Sequence, residues 1–354
     1  MRTKHLVLIL VFLVSGCGEN QEIGCFVSDG AIVVGGQTGQ ELSPAQVFRK
    51  NNGTEPGTLD PHRAEGVPAS NVLRDLFEGL VMEDPSGAYI PGAAESWNIS
   101  EDAKTYTFKI RENSKWSNGD VLTAEDFVYG LRRSADPATL SNYASMLYPI
   151  KNARDVVLGK KKPQALGVST DGPTTLIIEL EEPTPYFLSL LTHSTTYATH
   201  RPTVEEFGSQ FTRPGNLVGN GAFKLAEWRV QSHIKLVRNT EYWDDTNTTL
   251  DEVYYYPIDD VNSSLKRYRA QELDFTETVL AEQLPWIQRC LPSDLKISPY
   301  FGSYYYGFNN TQPPFKNKPK LRTALSMAID RTISKEIILS AGQIPASSVV
   351  PSVK

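Results

Sequence analysis

Residues 91–133 read PGAAESWNISEDAKTYTFKIRENSKWSNGDVLTAEDFVYGLRR and carry the most specific patterns in the sequence. Its centre, Tyr106 to Arg111, alternates apolar and polar side chains, which is typical of a half-buried β-strand. Thr123 then precedes apolar residues at helical spacing, and Asp126 follows it by three positions. This is a capping box with Asp in place of the usual Glu. The stretch therefore predicts a strand followed by a capped helix.

The same two patterns continue on both sides of this stretch. Alternating or apolar runs predict further strands at 176–180, 234–238 and 252–256. Pro183 and Pro185 end the first of these and lead into a predicted helix over 186–191. A helical stripe of apolar residues runs from Leu321 to Leu339, after Pro319. Strands and helices interleave without a regular βαβ repeat, so we predict mixed α/β domains with parallel and antiparallel pairing.

Composition excludes several classes of protein. The chain has 354 residues, of which 40% are hydrophobic and 21% charged, as in ordinary globular proteins. This length predicts two domains or three. The net charge of −6 gives no electrostatic support for a nucleic-acid partner.

The first residues resemble an export signal. A short apolar run, Leu6 to Val14, follows Arg2 and Lys4 and is too short to span a bilayer. It ends at Ser15-Gly16-Cys17, which resembles the cleavage box of bacterial lipoproteins. That resemblance implies a lipid on Cys17 and a membrane anchor; an ordinary secretory signal is the alternative. The inner or outer membrane stays open.

Residues 18–44 are rich in glycine and predict a tether between the anchor and the folded chain. Cys25 lies in this tether, and Cys290 lies far along the chain. Nothing in their sequence contexts indicates that they meet, so we expect both thiols to be unpaired.

Motifs of catalysis are not found in the sequence, which contains no G-x-S-x-G, H-E-x-x-H, P-loop or G-x-G-x-x-G. His193 and His200 are expected to be packed or surface histidines, not metal ligands. Tyrosine is abundant, with dense clusters at 254–256 and 304–306. Its rigid ring and polar tip suit pockets that accept varied ligands. The sequence therefore favours a binding protein without metal or cofactor over an enzyme.

Several motifs follow one another along the chain: Asn51–His62, Glu65–Asn71, Arg74–Leu80, Pro91–Trp97, Thr105–Arg111, Lys115–Asp120, Leu122–Val128, Asn220–Leu225 and Asn239–Trp243. Together they resemble one family, the oligopeptide-binding branch of the family 5 solute-binding proteins that serve ABC importers. The resemblance implies a two-lobed periplasmic-binding-protein-like α/β fold (type II, cluster C) with an extra small domain. It assigns 45–77 and 202–301 to the first lobe, 78–201 to the inserted domain and 302–354 to the start of the second. Family members are longer, so we expect a C-terminally truncated chain in which the second lobe is largely missing.

The resemblance also implies a function: capture of short peptides through their backbones in the periplasm, for delivery to a membrane permease with its ATPase subunits. The ligand-binding residues it implies are Glu65, Gly66, Val67, Tyr143, Tyr300 and Tyr305. Gly302 stands where relatives carry a paired cysteine, and Gly307 where they carry an acidic residue. These departures keep another solute open, such as a murein tripeptide, a nickel chelate or an opine. A periplasmic hydrolase is the remaining alternative. With only part of the enclosing lobe, we expect weak peptide binding or none.

Overall fold

The computed structural model describes residues 43–298, 302–339 and 341–350. The predictions for the signal segment, for Cys17 and for Tyr300 therefore lie outside the described residues. The strands in the described part are β1 (Val47–Asn51), β2 (Val81–Glu83), β3 (Tyr89–Pro91), β4 (Ala94–Ile99), β5 (Thr105–Ile110), β6 (Val168–Thr170), β7 (Thr175–Glu179), β8 (Phe223–Arg229), β9 (His233–Arg238) and β10 (Glu252–Tyr256).

The α-helices are short, and 3₁₀ turns join several of them. The helices are α1 (Gly66–Leu76), α2 (Ala124–Ala135), α3 (Ala153–Val157), α4 (Phe187–Leu190), α5 (Arg201–Phe207), α6 (Val261–Arg269), α7 (Leu284–Cys290), α8 (Pro319–Met327) and α9 (Arg331–Ile333). The 3₁₀ turns span Pro137–Thr139, Ala144–Leu147, Pro163–Ala165, Ser194–Thr196, Gly208–Gln210, Asp245–Asn247 and Ala281–Gln283.

Two four-stranded sheets carry most of the fold. The first has the order β1-β10-β9-β8, with β1 parallel to β10 and the other pairs antiparallel. The second is antiparallel throughout and has the order β4-β5-β7-β6. The first sheet thus takes its strands from 47–51 and 223–256, and the second from 94–179. The mixed α/β prediction and the predicted strands are confirmed, while the division into domains stays a prediction.

The capping box predicted for α2 is present. The backbone N–H of Thr123 donates to the Asp126 carboxylate at 2.7 Å, and the two residues cap the helix reciprocally. Phe127 and Leu131 are buried on the face that packs toward the second sheet. In β5, Tyr106, Phe108 and Ile110 are buried. The alternation in the sequence therefore indicated the correct inward face.

The prediction of one continuous helix over 321–339 is wrong, because this segment contains three separate helical pieces. Helix α8 ends at Met327, α9 starts at Arg331, and a π-helical segment covers Ser334–Leu339. The interruption has a local cause at Asp330. Its side chain accepts hydrogen bonds from the backbone N–H groups of Thr332 and Ile333, at 2.9 and 3.0 Å. An aspartate in this role starts a new helix and ends the preceding one.

The expectation that Cys290 is unpaired is also wrong. Cys290, the last residue of α7, is disulfide-bonded. Its partner lies outside the described residues. Disulfide pairing depends on the distance between two Cα atoms, which sequence context does not reveal.

A buried polar group joins the segment before α1 to helix α2. The Arg133 guanidinium pairs with Asp60 and also contacts Nδ1 of His62 at 2.8 Å. Nε2 of the same imidazole lies 3.0 Å from the carbonyl oxygen of Tyr197. A neutral His62 satisfies both contacts when Nδ1 accepts from Arg133 and Nε2–H donates to Tyr197. The side chains of Asp60, His62 and Arg133 and the carbonyl of Tyr197 therefore all have hydrogen-bond partners inside the core.

Helix α1 is held at its C-terminal end by a close-packed glycine segment. The N–H of Gly221 donates to the carbonyl of Leu76 at 3.0 Å. A Cβ atom on Gly221 would lie 2.6 Å from the carbonyl carbon of Leu76. Only glycine allows the two backbones to come this close.

In the described residues, no helix is long and apolar enough to cross a membrane.

Candidate ligand-binding site

The predicted residues Glu65, Gly66 and Val67 form the start of α1. Glu65 is the N-cap residue in extended conformation, and Gly66 has a φ of +79°, in the left-handed region that favours glycine. Val67 is 51% exposed. The N–H groups of Gly66 and Val67 belong to the first turn, which has no intrahelical acceptors. They make no hydrogen bond within the described residues, so two backbone donors face solvent here.

One face of α1 is buried and the opposite face is open. The buried side consists of Ala69, Val72, Leu73 and Leu76, which recur at helical spacing. The opposite face carries three residues spaced four and three positions apart, Val67, Asn71 and Arg74. We call this row of Val67, Asn71 and Arg74 the open face of α1. It extends the exposed backbone of Gly66 into a row of side chains.

Tyr143 is linked to α1 through His193 and the turn that follows it. Its ring meets the imidazole of His193 edge to face, with centroids 5.0 Å apart. The 3₁₀ turn after His193, Ser194–Thr196, packs against both α1 and the turn that follows Tyr143. Burial lowers the pKa of His193, and the positive charge of Arg74 lowers it further. His193 is therefore neutral near pH 7 and lies within electrostatic range of the open face.

One side of the open face is polar. The Asn71 amide donates to Oδ1 of Asn52 at 3.2 Å and to Oε2 of Glu277 at 3.5 Å. Nearby, the Lys50 ammonium lies 5.3 Å from the ring centroid of Phe275. Burial lowers the pKa of Lys50, whereas Glu277 acts to raise it. This side of the helix thus presents both a carboxylate and an ammonium.

Below the open face, α1 is fixed to the first sheet by a buried carboxylate. The hydroxyl of Tyr255, in β10, donates to Oδ2 of Asp75 at 2.6 Å, and its oxygen lies 3.2 Å from the carbonyl oxygen of Asn71. Burial raises the pKa of Asp75. These contacts set the rotation of α1 about its axis and hence the direction of its open face.

Tyr305 is not brought together with these residues in the structure. It is 66% exposed, and its neighbours Tyr304 and Tyr306 contact each other with ring centroids 5.8 Å apart. Among the described residues, no ring contact or hydrogen bond joins Tyr305 to α1 or to Tyr143. Tyr305 and the other implied ligand residues stay predictions.

Sequence reasoning missed Asn71, Arg74, His193, Lys50 and Glu277 as neighbours of the implied site. A signal was available for two of them, because Asn71 and Arg74 follow Val67 at helical spacing. The other three come from distant parts of the chain, and no local pattern points to them.

Two cavities lie away from the open face. One, of about 520 Å³, is lined by residues that include Arg63, Asn142 and Trp228. The other, of about 460 Å³, is lined by residues that include Ser145, Glu181 and Tyr186. Arg63 lies two residues before Glu65 and Asn142 directly precedes Tyr143, but the predicted residues themselves line neither cavity. Across the described ranges, no group of His, Cys, Asp and Glu side chains is suited to hold a metal ion.

The chain is similar to periplasmic peptide-binding proteins. The family described as "Bacterial extracellular solute-binding proteins, family 5 Middle" matches residues 88–354. The periplasmic oligopeptide-binding protein OppA of Salmonella typhimurium is 43% identical over 316 residues, which cover 88% of this chain and 58% of that protein. The chain thus spans less than two thirds of this relative's length.

Solved structures agree in fold as well as in sequence. The crystal structure of Haemophilus influenzae OppA in complex with the peptide RPPGFSPFR superposes with a TM-score of 0.84 at 40% identity, covering 88% of this chain and 61% of that one. The murein tripeptide binding protein MppA of Escherichia coli superposes with a TM-score of 0.85 at 38% identity, with the same coverages. The chain therefore belongs to the bacterial extracellular solute-binding proteins of family 5.

Proposed function

We propose that this chain is the substrate-binding component of an ABC peptide importer, which captures short oligopeptides through their backbones and delivers them to a membrane permease with its ATPase subunits. The family supports this proposal, since a relative at 43% identity is an oligopeptide-binding protein. The proposal includes export to the periplasm, anchoring through a lipid on Cys17, and the implied site of Glu65, Gly66, Val67, Tyr143, Tyr300 and Tyr305.

The observation that carries the proposal is the pair of exposed backbone donors at Gly66 and Val67. A receptor for peptides of many sequences must recognise what peptides share, namely their amides, carbonyls and termini. Backbone donors meet this requirement because they read a peptide carbonyl whatever side chain is attached. The left-handed φ of Gly66 turns this backbone toward solvent without steric cost.

Isothermal titration calorimetry with the full chain tests the proposal. The probes are trialanine, a tripeptide of the same length with bulkier side chains, and trialanine in which the peptide carbonyls are replaced by thiocarbonyls. We expect the first two to bind within about 10-fold of each other, because the backbone supplies the common contacts. A thiocarbonyl is a weaker hydrogen-bond acceptor than a carbonyl, so the third peptide should bind about 10-fold more weakly. Equal binding of the thioamide peptide would contradict recognition of the peptide carbonyls.

The murein tripeptide is the second candidate ligand, favoured by the similarity to MppA at a TM-score of 0.85. Titration with L-Ala-γ-D-Glu-meso-diaminopimelate separates the candidates, because its γ-linkage displaces the peptide backbone. A preference for this ligand over trialanine would favour the murein peptide. Mass spectrometry of the recovered peptide checks the third alternative, since a hydrolase would return cleaved products.

A further inference from the structure

Cys290 is the last residue of α7 and is disulfide-bonded within this chain. The sequence contains three cysteines, so the bonded partner is Cys17 or Cys25. Both precede residue 43, where the described part of the chain begins. The disulfide therefore connects the N-terminal segment to a helix far along the sequence.

The proposed lipid anchor removes Cys17 as a candidate partner. A lipid on this residue is attached through a thioether, which uses the cysteine sulfur in a C–S bond. A disulfide forms from a free thiolate, and an alkylated sulfur has none. Cys25 keeps its thiol, so lipid and disulfide can both be present only when they use different cysteines.

Helix α7 is held in the fold by its own packing. Leu284 and Ile287 are buried, and the guanidinium of Arg269, at the end of α6, lies 4.5 Å from the ring centroid of Trp286. Cys290 is half-buried at the end of the helix, where a segment arriving from outside can reach its sulfur. Since α7 has these contacts of its own, the disulfide acts chiefly on the segment that it attaches.

We propose that Cys25 is the partner of Cys290, and that this bond ties the N-terminal tether to α7 and shortens the link between the fold and the membrane. The inference rests on the proposed function for one step, the lipid on Cys17. Joining the two sulfurs removes two protons and two electrons, which pass to a protein disulfide of the oxidising periplasm by thiol–disulfide exchange.

The disulfide changes the reach of the anchor. About 26 residues lead from Cys17 to Ser43, and a fully extended chain of this length spans about 90 Å. About 8 residues lead from Cys17 to Cys25, and these span about 28 Å at most. The bond therefore keeps the end of α7 within the shorter distance of the lipid, and reduction restores the longer reach.

Peptide mapping without reductant identifies the partner directly. The full chain is exported and lipidated in a bacterial host, its free thiols are alkylated, and it is digested with trypsin and glutamyl endopeptidase. Glu22 lies between Cys17 and Cys25, so the digest places these two cysteines on different peptides. We expect the Cys25 peptide to be linked to the Cys290 peptide and to be released by reductant. A link between Cys17 and Cys290, or an alkylated Cys25, would overturn the proposal.

Cys17→Ser separates this proposal from the proposed anchor. The variant cannot carry the lipid but retains Cys25 and Cys290, so the link between them should persist. Alkylation of Cys290 in this variant would contradict the pairing. A wild-type chain without lipid but with the Cys25–Cys290 link would refute the anchor and support the pairing.

A release assay tests the shortened link. A recognition sequence for a site-specific protease is inserted after Gly36, and the lipidated chain is reconstituted in phosphatidylcholine vesicles. After cleavage, the folded part should sediment with the vesicles until a reductant is added, because the disulfide bypasses the cut. Cys25→Ser is the matched control and should be released by cleavage alone. Release of the wild-type chain without reductant would contradict the tie between the tether and α7.

Discussion

Arg133 donates two hydrogen bonds to the carboxylate of Asp60, from Nη1 to Oδ1 at 2.9 Å and from Nη2 to Oδ2 at 2.6 Å. Both side chains are largely buried, with 15% and 6% of their surface exposed. Burial alone would raise the pKa of Asp60, but the hydrogen bonds and charge of Arg133 bring it below the ordinary value. This bidentate pair joins the segment that leads into α1 to helix α2.

Replacing Arg133 by Gln should lower the free energy of unfolding by about 3–5 kcal/mol, because the Asp60 charge would remain buried without its partner. Urea denaturation followed by circular dichroism measures the change. Lys151→Gln is the control, since the Lys151–Glu179 pair is about half exposed and solvent screening should leave it a much smaller contribution to stability. Equal losses in the two variants would contradict this interpretation of the Asp60–Arg133 pair.

Glu78 should make the protein less stable as the pH rises from about 5 to 7. Burial raises the pKa of Glu78 to about 7, despite the hydrogen bonds from Tyr242 and Trp243 that act to lower it. In this range the unfolded chain has already released the proton that the folded chain keeps, so stability falls with pH, by up to about 1 kcal/mol per pH unit. Urea midpoints are measured for wild type and Glu78→Gln across this range, and we expect the wild-type midpoint to fall relative to that of the variant as the pH rises. A difference between the two proteins that does not change with pH would contradict the role of Glu78.

His62 should have the opposite effect on the pH dependence of stability. Burial lowers the pKa of His62 to about 4, and the charge of Arg133 adds to the shift. As the pH falls from about 6.5 to 4, the unfolded chain gains a proton that the folded chain excludes, so stability is lost on acidification. The same urea titration on His62→Gln should show a weaker loss at low pH. The pH ranges in which His62 and Glu78 affect stability overlap, and the two effects have opposite signs. Replacing one of these residues should therefore expose the pH dependence of stability that the other causes.

Gly221→Ala should destabilise the protein by about 1–3 kcal/mol, because the added Cβ would collide with the carbonyl of Leu76 and push the glycine segment off the end of α1. Gly57→Ala is the matched control, with no heavy atom within 4 Å of its Cβ position and no left-handed φ. Thermal unfolding measures both. If the two variants lose equal stability, the close approach at Leu76 has no energetic role.

Local patterns in the sequence were enough to predict much of the fold. Strand β5 follows from alternation, and α2 follows from the Thr123–Asp126 capping box, because both signals lie within a few residues of each other. The break at Asp330 was missed, because the apolar residues keep helical spacing across it and the spacing does not show that Asp330 caps a new helix. The buried contacts of His62 and Glu78 join residues far apart in the chain, and local patterns carry no information on them.

In the candidate site, too, some features follow from local sequence and others depend on distant contacts. The special conformation of Gly66 follows from residue type, whereas the approach of His193 to Tyr143 depends on how turns from separate segments pack. The resemblance to a family implied Tyr143 as a ligand residue, but not its neighbours.

The glycine contact at the end of α1 has a consequence for recognition. With the Leu76 carbonyl against Gly221 and Tyr255 bonded to Asp75, the helix can neither slide along its axis nor roll about it without a clash or a lost bond. The fold thus holds the backbone of α1 in one position against the first sheet and the glycine segment. A binding element held in this way loses less conformational entropy on association than a mobile one. Helix α1 is therefore a fixed reference against which displacements elsewhere in the molecule can be measured.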